Sequence, residues 1–298
     1  MANHSTRRNA LKSIVAGTAA LGTAGLVSSF DTPSEQPTST SLKGNIQHSA
    51  CRWCYGEIPF EDFCKAAKEI GLVGIDLVGP KDWPLLKKYN LVSTMCNGAE
   101  INLVDGFNDK KFHATLIKNY TEMIPKVAEA GYKNLICFSG SRRGIDDETG
   151  WNNCAEGLKQ LTPLAEKHGV TLVMELLNSK VDHKDYQCDK TAWGVELCKR
   201  VGSPNFKLLY DIYHMQIDEG DVIRTIRNNI SYIAHIHTGG VPGRHEIDES
   251  QELYYPAIMK AIVETGFKGY VAQEFIPSSK DASGKIAALK KAVSICDI

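Results

Sequence analysis

Four residues able to bind a metal each close a short apolar run in the second half of the chain. Glu175 ends Val173-Met174 in VTLVMELLN, and Asp211 ends Leu208-Leu209-Tyr210 in FKLLYDIYHMQ. His237 ends Ile233-Ala234-His235-Ile236 in YIAHIHTGG, and Glu274 ends Tyr270-Val271-Ala272-Gln273 in YVAQEF. Successive members lie 26 to 37 residues apart, about one strand, one helix and two loops. If the strands run parallel, all four side chains reach one rim of the sheet and converge there. Three carboxylates gathered without a cation would repel one another and take up protons. One divalent metal ion relieves that repulsion. Oxygen donors with a single imidazole favour Mn²⁺ or Mg²⁺, and Co²⁺ or Zn²⁺ also fit.

Other side chains flank this set. His214 lies three residues past Asp211, in what reads as a loop, and is either a core histidine or a contact to a substrate hydroxyl. His235 precedes His237 by two, so it points to the same barrel face one layer deeper, as support or core. After the seventh strand comes VPGRHEID, in which Arg244 has the geometry to grip a carboxylate or phosphate with two parallel hydrogen bonds. An ion pair of Arg244 with Glu246 or Asp248 is the plainer alternative. His214, Arg244 and Glu246 form the candidate substrate-binding set. Arg142 and Arg143 are expected at the surface.

These residues need a scaffold that alternates strands and helices. Strands are expected at 46–51, 73–77, 91–96, 134–138, 170–174, 206–210, 233–236 and 270–273. Helices are expected at 60–70, 83–89, 111–130, 156–168, 191–201, 222–228, 253–265 and 280–295, with Gly71 and Gly131 as stops. Eight strand–helix units in roughly 250 residues match a single-domain (β/α)8 TIM barrel. The strands are continuous apolar runs, as parallel strands buried on both faces should be. An open doubly wound sheet is the alternative, and the absence of G-x-G-x-x-G after the first strand disfavours it.

The bulk numbers agree. Of 298 residues, 43% are hydrophobic, enough for a real core, and the net charge of −1 offers no basic excess to hold a nucleic acid, which argues weakly against such a partner. The nine cysteines are odd in number, and several lie in apolar runs as small buried hydrophobes. Cys51 and Cys54 form a C-x-x-C with no second pair at zinc-ribbon spacing, and read as structural. A homo-oligomer is compatible with the sequence.

The first 45 residues read differently. Arg7-Arg8 before the small-residue apolar run from Ser13 to Leu26 resembles a twin-arginine export signal at 1–29. That run is too short for a stable membrane span. Residues 30–44, with Pro33, Pro37 and many Ser and Thr, read as a disordered linker to a barrel at 45–298. The resemblance implies an exported, periplasmic protein, or a cytoplasmic one if the signal is not used.

VMELLN, LLYDIYHMQ, HIHTGGVPGRHEID and the terminal QEF, in this order, resemble the hydroxypyruvate isomerase branch of the xylose isomerase-like TIM barrel superfamily. That superfamily also holds ketose 3-epimerases, inosose dehydratases and endonuclease IV. The resemblance covers residues 45–298. It implies that Glu175, Asp211, His237 and Glu274 are metal ligands and that Glu175 and Glu274 are the acid/base pair. It also implies that His214 and Arg244 contact substrate. Hydroxypyruvate isomerases commonly carry Gln where this chain has His237; the epimerases carry His.

The implied chemistry is an isomerisation of a small sugar or hydroxy-acid. The ion polarises a carbonyl and stabilises the enediolate formed on deprotonation, while two glutamates move the proton. Returning it at the neighbouring carbon isomerises aldose and ketose. Returning it to the other face of the same carbon epimerises. Two further readings are an endonuclease, which needs more histidine ligands and a basic face, and a sugar-binding barrel without turnover.

Overall fold

The computed structural model describes residues 41–298. The expected export signal and the linker up to residue 40 lie outside the described residues. Residues 41–44, expected as linker, already pack on the barrel. Leu42 packs on the core, and the Lys43 backbone N–H donates to the Asp297 carboxylate at 2.9 Å. The Asn45 side chain donates to the Ile298 carbonyl at 2.7 Å, so this stretch fastens to the last residues.

Eight parallel strands form the sheet: β1 (Gln47–Cys51), β2 (Gly74–Asp76), β3 (Val92–Met95), β4 (Asn134–Cys137), β5 (Thr171–Glu175), β6 (Phe206–Asp211), β7 (Ile233–Thr238) and β8 (Tyr270–Gln273). Their order is β3-β2-β1-β8-β7-β6-β5-β4. The ends meet through one bridge: Cys96 donates its N–H to Asn134 at 2.8 Å and accepts from Ile136 at 3.0 Å. This is the expected barrel, joined all round and thinnest between β3 and β4.

Ten α-helices lie among the described residues: α1 (Phe60–Ile70), α2 (Trp83–Lys88), α3 (His113–Glu129), α4 (Asp147–Lys159), α5 (Thr162–His168), α6 (Thr191–Val201), α7 (Ile212–Asp218), α8 (Val222–Asn229), α9 (Tyr255–Glu264) and α10 (Ala282–Cys296). The helix expected over 156–168 is two. It starts nine residues earlier, where the Asp146 carboxylate caps the Thr149 N–H at 2.8 Å. It breaks at Leu161 because Pro163, in the first turn of α5, disfavours helical continuation through the residues before it. The second difference is α7, expected as loop. Asp211 ends β6 and caps α7, its Oδ1 accepting the His214 N–H at 3.2 Å.

Among the described residues no helix is long and apolar enough to cross a membrane. All nine cysteines are free and buried, as small hydrophobes would be.

Candidate active site

Register explains the convergence. Asp211 and His237 pair directly across β6 and β7, while Glu175 pairs with Leu209, two residues before Asp211. Thr238 pairs with Gln273, which puts Glu274 one residue beyond the β7 rung. Parallel strands in near-equal register thus carry four potential metal-binding side chains to one end. One donor atom from each of Glu175, Asp211, His237 and Glu274 lies within 4.8 Å of the others, and all four residues are buried.

The partners of each group show what the cluster is built for. Glu274 Oε1 accepts the Trp53 indole N–H at 2.7 Å, and its Oε2 meets the Arg244 guanidinium at 2.5 Å and His237 Nδ1 at 2.7 Å. Burial disfavours its charge, but Arg244, His237 and Trp53 hold its carboxyl well below the usual carboxylate range. Glu175 differs. Burial and the charge of Glu274 push its carboxyl up against the pull of His237, whose Nδ1 lies 3.3 Å from Oε1 but out of line for a hydrogen bond. Burial likewise pushes Asp211 up to about 8 against the pull of Arg244. A buried carboxylate oxygen with no donor, beside two more carboxylates, fits a hard divalent cation.

His237 is oriented from behind. Its Nε2 lies 2.7 Å from Asp76 Oδ2, at the end of β2, which leaves Nδ1 for the rim. Asp76 is fully buried, accepts the Thr94 hydroxyl on Oδ1, and has His235 Nε2 at 3.1 Å from Oδ2. Burial opposes its charge, but the two histidines hold it well below the usual range. A carboxylate on the far nitrogen is the common support of a metal-ligating imidazole. Burial also works against charge on His237, but Cys51, Glu274 and Asp76 raise its pKa well above the usual imidazole range.

The rim opens on a cavity of about 350 Å³. Leu77, Leu103, Phe138, Leu177 and the Trp53 ring form its apolar wall; Glu175, Glu274, His183 and Arg244 form its polar wall. The Arg244 guanidinium sits between two rings, 5.2 Å from Trp53 and 5.3 Å from Tyr213. Its backbone is left-handed, at φ 59°, and its N–H donates to Gly240 at 2.8 Å. A non-glycine residue in this region is strained and persists where its surroundings hold it.

The site thus gathers Glu175, Asp211, His237, Glu274 and Arg244, with His214 fully buried beside Asp211. His235 sits one layer deeper, as its spacing implies. Glu246 is not brought in. The 240–246 turn closes through a Gly240–His245 bridge, and the Glu246 carboxylate instead accepts the Ser278 N–H at 2.7 Å and its hydroxyl at 2.8 Å. Arg244 pairs with Glu274 and Asp211 rather than Glu246 or Asp248. Arg142 and Arg143 pair with Asp147 and Asp105. Trp53, Asp76 and His183 are absent from the sequence reading. Asp76 left one usable signal, an acid inside the otherwise apolar strand VGIDL, which a buried strand tolerates only with a partner.

Comparisons with known proteins agree with this architecture. The chain is 25% identical over 246 residues to the 2-oxo-tetronate isomerase of Pectobacterium atrosepticum, covering 77% of this chain and 91% of that one. It is 26% identical over 241 residues to the hydroxypyruvate isomerase of Escherichia coli K12, covering 77% and 93%. Several other curated relatives are matched over only about half their length. Among solved structures, one titled AP endonuclease, family 2, from Brucella melitensis superposes with a TM-score of 0.72 at 26% identity, over 80% of this chain and 96% of that one. A family model described as xylose isomerase-like TIM barrel matches residues 64–292, from within α1 to within α10, and the chain belongs to that family.

Proposed function

We propose that this protein is a divalent-metal-dependent isomerase of a small hydroxy-carbonyl compound, of the aldose–ketose type. The observation that carries the reading is the buried Glu175–Asp211–His237–Glu274 cluster at the mouth of a cavity sized for a small molecule. Those four residues would hold the ion, Mn²⁺ or Mg²⁺ by preference for oxygen-rich donors, with Co²⁺ or Zn²⁺ also suited. When bound, the ion supplies positive charge that acidifies the proton next to a carbonyl.

The chain's own groups do the rest. One of Glu175 and Glu274 takes the carbon-bound proton, and the other delivers one to the neighbouring carbon. Trp53 and Arg244 fix the Glu274 carboxylate, one on each oxygen. Arg244, braced by two rings, and His214 orient substrate oxygens. The apolar wall keeps water from the exposed carbanion face. The relatives named 2-oxo-tetronate isomerase and hydroxypyruvate isomerase support this class of substrate.

Epimerisation is the second reading, favoured by the imidazole at position 237, where the resemblance associates histidine with epimerases. The endonuclease reading has less support, because beyond this cluster only Cys51–Asp76–His237 gathers metal-binding groups among the described residues, and it shares His237.

The test is solvent deuterium incorporation across a panel of ketoses, aldoses and hydroxypyruvate with metal present. Exchange at the α-carbon, lost in Glu175→Gln and in Glu274→Gln, is expected. No exchange into any of these compounds by the metal-loaded enzyme sinks the proposal.

A further inference from the structure

Asn178 follows Glu175 by three residues and is fully buried. Its Oδ1 accepts the backbone N–H groups of Val181 at 3.0 Å and Asp182 at 2.9 Å. Backbone N–H groups only donate, so the atom facing them is the oxygen and the other end is the NH₂ group. That NH₂ has two hydrogens and two neighbours, Asp182 Oδ2 at 2.6 Å and His214 Nδ1 at 2.6 Å. The same Asp182 Oδ2 also accepts the Tyr213 hydroxyl at 2.8 Å. One amide hydrogen therefore points at His214 Nδ1.

A ring nitrogen that receives a hydrogen bond carries no hydrogen itself. The neutral imidazole of His214 must then bear its proton on Nε2. Nε2 is buried, lies 3.6 Å from Asp211 Oδ2, and has no hydrogen-bond partner among the described residues. Native proteins seldom leave a buried donor unpaired without a use for it.

We infer that Asn178 is a positioning residue: it fixes His214 as the Nε2–H tautomer, so that the imidazole donates to a substrate oxygen beside Asp211. The inference rests on the proposed function for the identity of the acceptor, and on hydrogen bonding alone for the tautomer. The two rim imidazoles then have opposite duties. The carboxylate of Asp76 behind His237 holds a proton on Nε2, so the rim-facing Nδ1 is the nitrogen that becomes bare when the ring loses its second proton, whereas the amide of Asn178 behind His214 leaves an N–H on the rim side.

The experiment is long-range ¹H–¹⁵N correlation on the full chain labelled with ¹⁵N-histidine, with Mg²⁺ added and without substrate. His214→Gln identifies the His214 signals by their loss. A proton on Nε2 and none on Nδ1 is expected; a proton on Nδ1 overturns the inference. Asn178→Asp keeps the oxygen that accepts from Val181 and Asp182 but turns the NH₂ into an acceptor. The proton should move to Nδ1, with kcat falling about a hundredfold, the scale for losing one donor to a reacting oxygen. If Asn178→Asp stays folded by thermal melting and keeps the Nε2–H tautomer, the positioning role is wrong. If the wild type shows Nε2–H yet exchanges no substrate proton, the proposed function fails and the tautomer assignment stands.

Discussion

At the scale of single residues the site depends on charge balance. Asp211 is pushed up to about 8, and Glu175 and His237 are also raised. Each must lose its proton to become a ligand, so metal binding releases protons and strengthens with pH. Titration calorimetry with Mn²⁺ should show affinity rising between about pH 5 and pH 8; a flat profile would contradict the ligand set. The sign for folding is opposite. Asp211 has a folded pKa above its unfolded value, so its contribution favours the fold at low pH and is lost as pH rises through about 8. The metal-free protein should therefore lose part of its stability to urea across the same interval.

Asp76 is the clearest case of a residue that acts through another. Asp76→Asn keeps the shape but removes the charge behind His237, and an amide can present its NH₂ to Nε2. Metal affinity should fall about ten- to a hundredfold, the usual cost of losing such a partner. Unchanged Mn²⁺ affinity by calorimetry would show that the ring needs no carboxylate behind it.

At the scale of elements, much was legible. Periodicity and glycine stops gave α1 at 60–70, α6 at 191–201 and β8 at 270–273 with their observed limits. Where the reading went astray, local chemistry competed with periodicity. Pro163 divides α4 from α5, and Asp211 serves as both strand end and helix cap, which hid α7. The four clustered residues were readable because each lies within one residue of the C-terminal end of its own strand. Trp53, Asp76 and Asn178 were not, because their importance lies in partners distant in sequence or in a loop's internal hydrogen bonds. Glu246 looked as eligible as Arg244 until the turn sent it to Ser278.

Gly74 marks an element-scale constraint. A Cβ there would press on the Val92 carbonyl oxygen and the Thr94 and Val92 methyl groups, closer than side chains come. Gly74→Ala should wedge β2 from β3 and cost about 1–3 kcal/mol. The urea midpoint should fall, with weakened metal affinity because Asp76 lies two residues on. Wild-type stability in this variant would mean the strands part without strain.

At the scale of the whole molecule, the proposed metal site would link metal binding to folding. An ion that binds only the native rim stabilises it, by about 2.7 kcal/mol at a free concentration one hundred times Kd. Chelator treatment of metal-loaded protein should lower Tm, and Mn²⁺ should restore it in a concentration-dependent way. An unchanged melting curve after verified metal loading would mean that no native-state site exists.

Barrel closure has a further consequence. A single rung ties β3 to β4, whereas β5 through β8 form an unbroken ladder that carries all four residues of the buried cluster. Thermal breathing should thus begin at the β3–β4 seam, across the barrel from β7 and β8. The cylinder can part along that weak line, like a cuff at its clasp, while the quadrant that carries Glu175, Asp211, His237 and Glu274 keeps its spacing.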